Sequence, residues 1–205
     1  MTSIGKILRE YITLALFSPI AASPALAQIN FGVYTTSDIT LSVNGGGTTG
    51  TLNFNDKQPD IAPNSNAVTI SPTDNDALYI AVTGDATRDI TVEISAPASL
   101  ASADTTIPFS YRFAYWNRGS ASVTTAQQAA VQVPSGFTSA TFPLLLRSSG
   151  APLPPPTPAH GGYTAPQATA YLFLGGTLGN LGGKVGGKAG TYSGTININV
   201  NYTTY

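Results

Sequence analysis

Residues 190–202 read GTYSGTININVNY. Ile196, Ile198, Val200 and Tyr202 alternate with Asn197, Asn199 and Asn201. That two-residue repeat puts one set of side chains on a core and the other in water, as a half-buried strand does. A helix would instead space its apolar residues three and four apart. Upstream, Tyr171-Leu172-Phe173-Leu174 is apolar at every position, which predicts a central strand covered on both faces. In 107–116, Ile107, Phe109, Tyr111, Phe113 and Tyr115 form one face, and Pro108, Ser110, Arg112 and Ala114 the other. In 89–95, Ile90, Val92 and Ile94 face inward while Thr91 and Glu93 face solvent.

Further short segments of this kind recur between Gly, Pro, Asn and Asp turns. The expected strands are 29–34, 39–43, 50–54, 67–71, 77–83, 89–95, 107–116, 128–133, 140–147, 168–175 and 191–202. Many short strands with no long helical period predict an all-β sandwich or barrel. Pro143 cannot donate to a ladder, so its strand belongs at an edge or a bulge. The Pro-rich stretch 148–167 and the Gly-rich stretch 179–190 are expected to be loops.

The N-terminus follows a different pattern. Lys6 and Arg9 precede an apolar run from Tyr11 to Ala22, and Ala25 and Ala27 occupy small-residue positions. This is the order of a secretory signal peptide, with cleavage expected between Ala27 and Gln28. The run is too short for a bilayer, which takes roughly 20 residues. The expected product is therefore residues 28–205, exported as a single domain and not embedded in a membrane.

Composition narrows the chemistry. Only 9% of the chain is charged and the net charge is −1, so there is no basic surplus to draw nucleic acid. The absence of cysteine removes disulfides, thiol nucleophiles and thiolate metal sites. From residue 28 on, every acidic residue lies at or before Asp104, and only basic ones follow: Arg112, Arg118, Arg147, Lys184 and Lys188. Such asymmetry suits head-to-tail contact, unless strands of both halves interleave and mix the charges.

Catalytic patterns fail in turn. His160 is the lone histidine, and no G-x-S-x-G elbow accompanies it. Gly182 to Lys188 has phosphate-loop spacing, but Ala189 stands where Ser or Thr is needed and a strand pattern follows. Asp74-Asn75-Asp76 begins like a calcium loop, yet Leu78 and Tyr79 occupy its fifth and sixth positions. Turn formation explains it better. Glu93 has no carboxylate partner for glycoside chemistry. Trp116 and the tyrosines suit core packing more than a sugar platform. No enzyme activity, metal or cofactor is expected.

Several segments resemble the domain of unknown function 4402 family, which is related to the spore-coat-U-like fimbrial proteins. They are Val82-Thr83-Gly84 closing one strand, Gly175-Gly176-Thr177-Leu178 closing another, and Gly190 through Tyr202. The resemblance covers 67–95 and 168–202; the cysteines common in the spore-coat-U relatives are absent. It implies an immunoglobulin-like antiparallel β-sandwich, exported to the cell surface as a structural subunit of a pilus or fimbria. The implied partners are copies of the chain, with a periplasmic chaperone and an outer-membrane usher. Such subunits polymerise by donor-strand complementation, in which a neighbour's N-terminal strand fills a groove and pairs with its edge. Residues 28–45 hold the donor candidates: Ile29, Phe31 and Val33, or Ile39, Leu41 and Val43. Ile196, Ile198, Val200 and Tyr202 form the candidate C-terminal assembly strand. About nine expected strands follow residue 50, enough for a sandwich that needs no donor. The alternative function is a monomeric surface adhesin or carbohydrate-binding module.

Overall fold

The computed structural model describes residues 26–34, 38–54, 67–103, 106–147, 165–179 and 191–203. In chain order these form β1 (Leu26–Tyr34), β2 (Thr40–Val43), β3 (Thr49–Asn53), β4 (Ala67–Ile70), β5 (Leu78–Asp85) and β6 (Asp89–Ser95). After them come β7 (Ser99–Ala101), β8 (Thr106–Trp116), α1 (Val123–Gln128), β9 (Val131–Gln132), β10 (Ser139–Pro143), β11 (Gln167–Gly179) and β12 (Thr191–Tyr202). The all-β expectation holds, because period-two alternation needs only local sequence to appear.

Two faces enclose the core. One runs β3-β1-β12-β6-β10, the other β2-β5-β11-β8-β9. β8 belongs to both. Its residues 106–108 pair with β7, and Phe109 to Trp116 pair with β11. Ala101 of β7 meets Ser193 of β12, so the hydrogen-bonded path passes from face to face without a break. On the far side the turn between β2 and β3 joins the faces again, and the sheet nearly closes on itself. Asn44 and Gly45 adopt positive φ in that turn.

Among the described residues all strand pairings are antiparallel except one: β1 runs parallel to β12. The expected all-antiparallel sandwich is thus a mixed sheet. A parallel pair needs a long crossover, and here most of the chain separates its two members.

One large buried cluster draws on both faces, with Phe31, Leu52, Ile80, Val92, Leu172 and Ile198 among its members. The stacked rings of Tyr115 and Phe142, 4.0 Å apart, close it between β8 and β10. A smaller cluster lies outside β11, where Phe173 and Ala114 are covered by Ala126 of α1. This is why the Tyr171–Leu174 run is apolar on both sides. Burying a side chain such as Phe173 contributes roughly 1.5–3 kcal/mol.

The strand expected at 128–133 is mostly not one. Residues 123–128 are helical, with Ser122 as N-cap accepting from the Thr125 amide, and only Val131–Gln132 pair with β8. One and a half turns are too short to show an amphipathic period. β7 was not foreseen either; three residues carry no alternation signal. Pro143 ends β10, an edge strand, as its missing amide requires.

The two halves of the charge asymmetry meet in the sheet. β6 lies between β12 and β10, and Asp89 of β6 pairs with Arg147 beyond β10. Strands from both halves interleave, and among the described residues this brings Asp89 of the acidic half beside Arg147 of the basic half.

Candidate functional site

The first and last strands lie side by side. β1 is bounded by β12 in parallel register, Leu26↔Thr191 through Tyr34↔Asn199, and by β3 in antiparallel register, Gln28↔Asn53 through Gly32↔Thr49. Ile29, Phe31 and Val33 point into the core beside Ile196, Ile198 and Val200, all buried. Residues 26 and 27 belong to β1; the expected cleavage would leave it starting at Gln28. Residues 1–25 lie outside the described residues.

β1 fills a slot that its neighbours would otherwise leave open. Without it, β12 and β3 would each present a bare edge, and the side chains packed on Ile29, Phe31 and Val33 would face water. Leu52 and Phe54, at and just beyond β3, form the far wall. The Phe54 amide reaches back to the Ala27 carbonyl at 3.3 Å. The T-L-N-F alternation of 51–54 marks a strand but names no partner for it.

The second set of donor candidates sits elsewhere. Leu41 and Val43 lie on β2, which pairs with β5 in the opposite face, and Ile39 just precedes it. All three are buried. The two candidate sets therefore meet the same core from opposite sheets, and Ile29, Phe31 and Val33 are the set on the strand that pairs with β12.

The end of β12 is clasped. The Tyr202 hydroxyl accepts the Asp85 amide at 2.7 Å, and the Arg88 guanidinium lies 4.0 Å from the Tyr202 ring centroid. Gly84 makes room: a Cβ there would stand 2.4 Å from that hydroxyl. The Thr203 amide donates to the Asp89 carbonyl at 2.9 Å. Asp85 shapes the turn by accepting the Thr87 amide and hydroxyl. The sequence signal for this clasp was the Asp-x-Thr turn chemistry of 85–87, and nothing local tied it to Tyr202. Tyr205 lies outside the described residues.

The Asp74 carboxylate accepts the Ser71 amide at 2.8 Å, as a turn-forming Asp does. The buried Gln127 of α1 pins this loop through the Pro72 and Asp74 carbonyls, at 2.9 and 2.7 Å. Glu93 is exposed on β6, within 3.4 Å of the Asn199 amide nitrogen. Trp116 lies on the outer face of β8, not on the core side, and its ring is 5.6 Å from the Arg118 guanidinium. Tyr111 is half-buried and donates to the Phe137 carbonyl at 3.0 Å; burial pushes its phenol above the usual value. His160 and the stretch Gly182 to Lys188 lie outside the described residues. Among the described residues no three His, Cys, Asp or Glu side chains gather as metal ligands, and no helix is long and apolar enough to cross a membrane.

In comparisons with family models and with curated proteins, nothing matches this sequence.

Proposed function

We propose that this chain is an exported, immunoglobulin-like structural subunit of an extracellular filament, of the pilus or fimbria kind. It polymerises by donor-strand complementation: β1 leaves its own slot and fills the same slot in the next copy. The observation that carries this reading is the position of β1. An N-terminal strand with three buried apolar side chains closes the gap between β12 and β3. Exchange would reproduce the same contacts between copies that the chain makes within itself. A head-to-tail exchange of this kind does not close and so propagates. A periplasmic chaperone and an outer-membrane usher are the proposed assembly partners, holding the slot until the next subunit arrives.

Co-expression with such assembly factors should yield polymers that survive cold detergent and collapse on boiling. Deleting residues 26–34, or Phe31→Asp, should leave only monomers or degradation products. Polymers that persist in both variants would sink the strand-exchange reading.

A monomeric adhesin or carbohydrate-binding module is the second reading. It is favoured by Tyr79, Trp116 and Tyr171, which gather half-buried on the outer face beside α1. Aromatic faces of this kind stack on sugar rings as they stack on each other. Saturable glycan binding lost in both Trp116→Ala and Tyr171→Ala would support it, and silence across a broad glycan panel would end it.

A further inference from the structure

The outer surface of the β3-β1-β12-β6-β10 face is made mostly of uncharged hydrogen-bonding side chains. The registers align them in rows across the strands. Thr51, Asn30 and Thr195 lie abreast on β3, β1 and β12. Asn201, Thr91 and Thr141 lie abreast on β12, β6 and β10. Within the second row the Thr91 hydroxyl sits 2.9 Å from that of Thr141. Among the described outward positions of this face, only Glu93 and Asp89 carry charge. Glu93 is engaged by Asn199, and Asp89 at one end is paired with Arg147.

We propose that this face is a self-association surface, and that its occupant is the same face of a second copy. Two physical arguments select a second copy. Ser, Thr, Asn and Gln each offer both donor and acceptor, so a field of them complements itself. A face of Lys or Glu would meet its own charge in a contact between identical surfaces, and this face avoids that almost completely. Of the exposed arginines among the described residues, Arg112 and Arg118 lie on the opposite sheet, on β8 and just after it, and Arg88 stands at one end of this face, over the Tyr202 ring.

The area sets the strength. Strands about 4.8 Å apart, with same-face residues about 6.8 Å apart along them, give about 33 Å² per outward residue. The field comes to roughly 500 Å² per copy on that spacing. That places the pair near or below about 1,200 Å² in total, the range of weak and transient contacts. Single copies should therefore pair reversibly. Where copies are strung together, repetition of the contact multiplies it, and chains would associate side by side. The pairing does not depend on whether β1 sits in its own copy or a neighbour's, because the same outward residues result.

The test is sedimentation equilibrium of the mature chain over a wide concentration range. Wild type should show a monomer–dimer equilibrium reversed by dilution, changing less than about twofold between about 50 and about 500 mM salt, because few charges lie on the face. Thr51→Lys with Thr195→Lys should weaken it by at least about tenfold, by setting like charges face to face. Ser110→Lys with Gln132→Lys adds the same charge to the opposite sheet and should leave it unchanged. Unaltered circular dichroism and melting would show that each variant is folded. A wild type that stays monomeric throughout, or equal weakening in both lysine pairs, would overturn the proposal. A face that binds soluble glycans while the chain stays monomeric would overturn it as well. Detergent-resistant species report strand exchange and dilution-reversible ones report this face, so the two readings fail separately.

Discussion

Truncating Phe31 to alanine tests how much of the fold rests on the first strand. Its ring is 2% exposed, on β1 between β12 and β3. Phe→Ala at a packed site costs about 3–5 kcal/mol, from lost transfer energy plus the cavity left behind. The slot is walled by strands held in register on both sides, so little collapse is available and the upper half of that range applies. Against a typical total of about 5–15 kcal/mol, that is a large fraction. In urea, with a slope of about 2 kcal/mol per molar, the midpoint should fall by about 2 M. Asn30→Ala, one residue away on the outward face, should move it by less than about 0.3 M, the effect of a surface change within about 0.5 kcal/mol. The assay is equilibrium unfolding of the mature monomer, followed by circular dichroism and by tyrosine and tryptophan fluorescence. A Phe31→Ala shift as small as that of Asn30→Ala would refute the placement of β1 in its own sheet. It would mean that the strand is detached in the isolated chain and that its neighbours are stable without it.

Four further outcomes follow from single contacts. Tyr202→Phe removes the acceptor of the Asp85 amide and should lower stability by about 1–2 kcal/mol, read by urea titration. Gly175→Ala would place a Cβ 2.1 Å from the Ile70 carbonyl oxygen; because backbone must move, a loss of about 1–3 kcal/mol is expected in the same assay. Gln127→Met keeps the side-chain volume but orphans the Pro72 and Asp74 carbonyls. It should increase hydrogen exchange and proteolysis in residues 71–77 before it affects the β1–β12 pair. Tyr111 has a raised phenol pKa, so the unfolded chain ionises there first. Its contribution is full below about pH 10 and is lost as pH climbs through the raised value, a decline that Tyr111→Phe should reduce in melts at alkaline pH.

Much of the fold was legible residue by residue. The alternation in 89–95 and 191–202 marked both strands to the residue, because the strand repeat is a property of neighbouring positions. Pro143 announced an edge, and the apolar run at Tyr171 a central strand. The helix at 123–128 was not legible, since Val123, Thr124 and Thr125 read as strand formers and its one strong signal is the Ser122 cap. The candidate assembly residues were recognisable as apolar strand positions, except that Ile39 lies just before its strand. Their division between two sheets was not, because Phe31 and Leu41 have the same local pattern.

The amino-acid order alone determined that this is a β protein of low charge without cysteine, which segments alternate and which side of each is apolar. Those are consequences of side-chain chemistry and the two-residue repeat, and they need no partner. Only the tertiary structure decided that β1 lies parallel to β12, that Tyr202 closes onto Asp85, and that outward Thr and Asn residues from five strands merge into one field with few charges. Pairing and register are set by packing between residues distant in the chain, where no local pattern says which strand meets which.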